Sequence, residues 1–179
     1  MKTIQIIIAL LLCVPAFAQD ARVNRQDALA LKTAKAYEAK AEAKVKELFN
    51  YLELLTDPKG NPEMKAHVRD EIEKLFNGEV MMPNFFSKKS GPTNLNDVLD
   101  KAVQAKEKYT FTITDFSITP QSGTEKPEMW MLGYTVKFLG GMEVTVLQPF
   151  YIVQENKQFG AATRKVTNTY LGSMKQPHL

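Results

Sequence analysis

Asp115 is the residue best placed to do chemistry in this chain. Tyr109, Phe111 and Ile113 alternate with Thr110, Thr112 and Thr114, and then the alternation slips: Phe116 and Ile118 continue it out of phase. Asp115 stands at the slip. An aspartate pushed into an apolar cavity at such a point has a raised pKa and can act as a general base. Tyr51, Tyr134 or Tyr151 would then be the donors for a developing oxyanion. The plainer reading makes Asp115 the solvated residue of a β-bulge or the start of a turn. The residues favour that reading.

Other catalytic classes have less to work with. The two histidines are His67 and His178. His67 precedes Val68 on a helix and edges the core or faces water; His178 lies in the last two residues, where order is not expected. No cofactor and no metal site is expected from this set. Gly140-Gly141 sits between strands and precedes no helix, so it is a hairpin turn and not a phosphate loop. Met81, Met82, Met129, Met131 and Met142 offer an adaptable lining, since methionine fills irregular gaps and suits permissive binding surfaces. Trp130, between two of them on a strand, points to the opposite face. Ordinary core packing is the commoner use of such residues.

The amino-terminal residues carry the layout of a secretory signal peptide. Lys2 gives a positive start, Ile4–Val14 is apolar apart from Gln5, and Ala16-Phe17-Ala18 puts small residues at the two positions a signal peptidase reads. The apolar run is too short to span a bilayer, and Leu12 before Cys13 argues against a lipoprotein signal. Cleavage after Ala18 would leave 161 of the 179 residues and remove Cys13, the single cysteine, so disulfides and thiol chemistry would be absent. It would also remove Lys2, lowering the formal charge from +3 to +2. That near balance gives no basic footprint for nucleic acid. After Val14 no stretch is long enough for a membrane span. The expected product is exported to the periplasm or cell exterior, and the style of the signal is that of a Gram-negative bacterium.

The elements follow from periodicity. Asn24–Leu55 predicts one long helix. Its Ala/Lys/Glu-rich start is helical by propensity but has little to pack, whereas Val45, Leu48, Phe49, Leu52 and Leu55 line one face. Asp57-Pro58-Lys59-Gly60 is a turn. Asn61-Pro62-Glu63 starts a second helix whose stripe is Met64, Val68, Ile72, Leu75 and Phe76, stopped by Asn77-Gly78. Glu79–Pro92 predicts a short strand or irregular hairpin broken by Pro83, with a polar loop from Ser87. Asn94 caps a third helix with Leu95, Val98, Leu99, Ala102 and Val103 inward. Strands follow over Tyr109–Ile118, Met129–Leu139, Glu143–Gln154 and Gln158–Thr169, with a loop at Pro120–Pro127 and a turn at Glu155-Asn156-Lys157. Pro149 inside the third strand marks an edge or bulge. The predicted class is α+β: a long N-terminal helix and two further helices packed on a curved, mainly antiparallel sheet of four to six strands. The predicted organisation is a signal peptide at 1–18, an exposed helix start at 19–40, one α+β domain at 41–172 and a disordered tail at 173–179.

This order resembles the nuclear-transport-factor-2-like superfamily, a cystatin-like α+β cone. The residues that carry the likeness are Leu48-Phe49-Asn50-Tyr51-Leu52, Ile72-Glu73-Lys74-Leu75-Phe76 and the four strands from Tyr109 to Thr169. The resemblance implies a pocket between the sheet's concave face and the long helix, which Phe49, Trp130 and Tyr134 would line. Members include ketosteroid isomerase and dehydratases, but many only bind or assemble, and no Asp/Tyr spacing here matches the isomerase pattern. The leading expectation is therefore an exported, non-catalytic binding or interaction domain holding a small apolar ligand or an envelope protein. One alternative is a small isomerase- or dehydratase-like enzyme using Asp115 as base, with Tyr151 beside it. Another is a structural envelope protein that assembles, as a homodimer for example, through its N-terminal helix.

Overall fold

The computed structural model describes residues 14–87, 91–120 and 129–177, with side chains from residue 31 onward except at Leu139. Residues 1–13 of the predicted signal segment, most of the Pro120–Pro127 loop, residues 88–90 and His178 lie outside the described residues. The class is α+β. Among the described residues, three α-helices accompany an open four-stranded antiparallel sheet and a separate two-stranded one. The chain divides into two compact units, residues 1–40 and 41–179.

Helix α1 is continuous over Val14–Thr56. Within the first unit, residues 31–40 are exposed or half-buried, and Leu31 is 59% exposed. Within the second unit the helix becomes a packing element. Ala41, Val45, Leu48, Phe49, Leu52 and Leu55 recur at helical spacing and are all buried. The helix ends in the predicted turn, where the Asp57 side chain accepts from Lys59 N–H at 2.9 Å and the Asp57 carbonyl from Gly60 N–H at 3.0 Å.

Helix α2 (Pro62–Lys74) begins as its sequence requires: Asn61 Oδ1 accepts from Glu63 N–H at 2.7 Å, and Pro62 occupies a position whose N–H needs no partner. Val68, Ile72, Leu75 and Phe76 are buried, but Met64, predicted in the same stripe, is 37% exposed. It lies in the first turn, one turn ahead of the buried Val68. Strands β1 (Met81–Pro83) and β2 (Pro92–Asn94) form the short antiparallel pair expected around Pro83. Asn94 then caps helix α3 (Leu95–Val103), accepting from Asn96 N–H at 2.9 Å. Leu95, Val98, Leu99 and Ala102 are buried; Val103, predicted inward, is 37% exposed and its carbonyl accepts from Lys65 Nζ instead.

Strands β3 (Phe111–Pro120), β4 (Met129–Phe138), β5 (Met142–Phe159) and β6 (Ala162–Leu171) are paired in sequence order. β3 starts two residues later than predicted. The Tyr109 N–H goes to Thr56 Oγ1 (3.0 Å) and the Phe111 N–H to Glu53 Oε1 (2.7 Å), so the end of α1 captures the strand before the ladder begins. The β3–β4 register shifts between Thr114 and Ser117, and Asp115 takes φ 55°, so the predicted bulge is present. The β4–β5 turn runs through Leu139–Gly141, with both glycines at positive φ. The turn predicted at Glu155–Lys157 is not there. The β5–β6 ladder continues through Glu155↔Val166 to Phe159↔Ala162, and the chain reverses at Gly160-Ala161. Gly160 takes φ 61°, which a two-residue hairpin loop needs and Asn156 would adopt less readily.

The core lies between α1 and the sheet face carrying Trp130, Leu132, Tyr134, Val136 and Phe138. The Phe49 ring stands 5.3 Å from Phe111, 5.6 Å from Phe85 and 6.2 Å from Tyr134, centroid to centroid. Phe85 meets Phe138 edge-on at 5.4 Å. Such edge-to-face pairs add to simple burial because ring edges and faces carry opposite partial charge.

Candidate functional site

Phe49, Trp130 and Tyr134, expected to line a pocket, are packed core. They are 2%, 6% and 1% exposed. The Tyr134 hydroxyl donates to Gln148 Oε1 at 2.7 Å, and Gln148 Nε2 donates to the Gly172 carbonyl at 2.9 Å. Full burial pushes the Tyr134 phenol far above its ordinary value, so it stays protonated. This chain of bonds pins β4, β5 and the segment after β6 together.

The catalytic candidates do not converge on one cavity. Asp115 is exposed and accepts from the Thr114 hydroxyl at 2.9 Å. Tyr51 donates to Glu47 one helical turn away at 3.1 Å. Tyr151 is half-buried on the other sheet face from Tyr134, at an odd position of β5 where the even positions Val146, Gln148 and Phe150 enter the core. His67 is exposed. Among the described residues no group of three or more His, Cys, Asp or Glu is placed to hold a metal ion. No helix among them is long and apolar enough to cross a membrane. The methionines disperse too: Met82 is buried, Met129 and Met131 are half-buried on the outer sheet face, and Met81 and Met142 are exposed.

What the tertiary structure builds instead is a groove at the start of β5. β6 pairs with β5 only from Phe150 onward, so Met142–Pro149 has β4 on one side and no strand of the sheet on the other. Residues 172–175 cover part of that open side. Gly172 N–H donates to the Pro149 carbonyl at 2.7 Å, and Leu147 and Lys175 exchange two bonds of 2.8 Å each. On its other flank the same segment meets β1: Met174 N–H donates to the Met81 carbonyl at 2.8 Å, and Ser173 Oγ accepts from Met81 N–H at 3.0 Å. Residues 173–175, predicted as the start of a disordered tail, thus lace the small sheet to the large one. Met174 is 2% exposed, and that burial offsets the entropy of ordering the segment.

Beside this lace, between residues of the two sheets, lies a groove of about 1230 Å³. Its walls include Met81, Pro83, Pro92, Val144, Leu147 and Met174, with Pro177 at the end of the described chain. Glu143, Thr145, Ser173, Lys175 and Gln176 add polar groups. Glu143 is held by Lys137 at 2.7 Å across the β4–β5 pair. None of Phe49, Trp130, Tyr134, Asp115 or Tyr151 lines this groove. The one sequence signal toward it is Pro149. It is in continuous register with β4 at Met131, without a bulge, and its missing N–H falls on the side where β6 has ended. That one proline therefore identifies the edge. No family model, curated protein or solved structure matches this chain.

Proposed function

We propose that residues 41–179 form a non-catalytic binding domain that takes an apolar ligand into the groove between β1–β2, the start of β5 and residues 173–177. The observation that carries this reading is the composition of the groove. Met81 and Leu147 on its walls are 40% and 39% exposed, although each could have been polar at no cost to the core. Concave, mostly apolar surface with a few polar groups is the usual form of a ligand site. Export through a cleaved amino-terminal signal, to the periplasm or exterior of a Gram-negative cell, belongs to the same proposal. So does membership of the nuclear-transport-factor-2-like superfamily, which the order of helices and meander supports.

The test is titration with the apolar dye 1-anilinonaphthalene-8-sulfonate. Saturable fluorescence enhancement is expected for the folded protein. It should be lost in Leu147→Arg and in Met81→Glu, both at exposed positions where the fold tolerates charge. No saturable binding, or binding that both variants leave intact, would refute the reading.

A further inference from the structure

We infer that the groove's occupant is an extended peptide segment of a partner protein, which adds a strand to the open edge of β5 at Glu143–Thr145. The inference rests on the groove reading above and names the class of ligand. In an antiparallel strand the N–H and C=O of one residue point to the same side, and alternate residues point to the same side. Leu147 turns both groups toward Lys175, and Pro149 turns its carbonyl toward Gly172, so Thr145 and Glu143 turn theirs outward as well. Among the described residues nothing pairs with those outward groups. They lie on the groove wall.

Residues 173–175 already make the first step of the missing strand, with bonds to Leu147 on one side and Met81 on the other. The chain's own tail cannot continue it in full, because Pro177 has no N–H to give the Thr145 carbonyl. A second copy of this chain fits poorly. The β5 edge shares its groove with Pro83 and Pro92, and a single extended chain needs less room there than another sheet edge does. Strand addition of this kind takes affinity from the main chain and specificity from alternate side chains. Val144, Leu147, Pro83 and Pro92 call for apolar side chains on the peptide. Glu143 is neutralised by Lys137, which leaves Lys175 as the charge at the rim among the described residues and favours an acidic residue on the peptide.

The experiment pans short random peptides displayed on phage against the full chain and measures selected synthetic peptides by fluorescence polarisation. Selected sequences should be apolar with an acidic residue. Thr145→Pro removes one outward N–H at a position equivalent to Pro149, which the same strand already accommodates. It should weaken the peptides about tenfold or more, whereas Thr145→Val should stay within about twofold. Methylating the peptide's alternate amides should weaken binding likewise, and circular dichroism should show all variants folded. If no peptide is selected, or if selected peptides bind Thr145→Pro as well as the parent, the inference fails. Dye binding separates the two proposals: dye binding that Leu147→Arg abolishes, without such peptides, leaves an apolar-ligand groove and overturns strand addition alone.

Discussion

Replacing Phe49 with alanine tests whether the space between α1 and the sheet is filled. Phe49 is 2% exposed and its ring touches those of Phe85, Phe111 and Tyr134. Truncating a ring in such a setting removes its transfer free energy and leaves a void that rigid aromatic neighbours cannot collapse into. The expected loss is about 4 kcal/mol. That is a large part of the roughly 5–15 kcal/mol by which domains are stable, and for a chain of this length it lowers Tm by roughly 8–16 °C. Phe49→Leu keeps much of the volume and should cost about 1.5 kcal/mol. Urea unfolding followed by circular dichroism reads both, with the dependence on denaturant unchanged if the unfolded state is the same. If Phe49→Ala costs less than about 1 kcal/mol, the ring faces an open hollow. The description of a packed core would then be wrong, and the ligand role for Phe49, Trp130 and Tyr134 would return.

Gln148→Leu should destabilise by about 2 kcal/mol or more in the same assay, because the Tyr134 hydroxyl and the Gly172 carbonyl each lose a buried partner. Stability should fall as pH rises above about 10, where an unfolded tyrosine ionises while buried Tyr134 cannot. The folded value is raised, so the contribution is fully present below the unfolded pKa and is lost on going up through alkaline pH. Tyr134→Phe should flatten that fall, although it is less stable at neutral pH for leaving Gln148 Oε1 unpaired. Asp115→Ile should cost about 1–2 kcal/mol and Asp115→Gly almost nothing, since φ 55° is strained for a β-branched side chain and free for glycine. Gly172→Ala should cost about 1–3 kcal/mol, because its Cβ would stand 2.8 Å from Tyr151 Cε2 and 3.0 Å from Pro149 Cβ.

Local features of the fold were legible because their causes are local. Asn61 and Asn94 cap helices because an asparagine side chain can reach the free N–H groups at a helix start wherever the rest of the chain goes. The slip at Asp115 showed the bulge because side-chain alternation is a direct record of the pleat. The stripe from Val45 to Leu55 showed which part of α1 is buried, since only a buried face needs continuous bulk. The β5–β6 turn was misplaced because Glu155-Asn156-Lys157 has turn-like composition. In the sheet, Glu155 is locked by Asn168 at 2.6 Å and Tyr170 at 3.0 Å, partners a sequence window does not contain.

The site depended on long-range events. Pro149 announced an edge, but nothing near it in the chain said which segment would approach that edge. Ser173, Met174 and Lys175 find Met81 and Leu147 only after the meander has brought the end of β6 beside the end of α2, where Leu171 N–H donates to the Leu75 carbonyl at 2.8 Å. Sequence alone therefore determined the capped starts of α2 and α3, the presence of the four strands, the bulge and most of the apolar faces, because each is set by neighbours within a few residues. Only the tertiary structure decided that the aromatic residues fill the core, that the tail is a lace between sheets, and that an open strand edge lies in a groove. Those outcomes are contacts between residues far apart in the chain, and composition and periodicity hold no record of them.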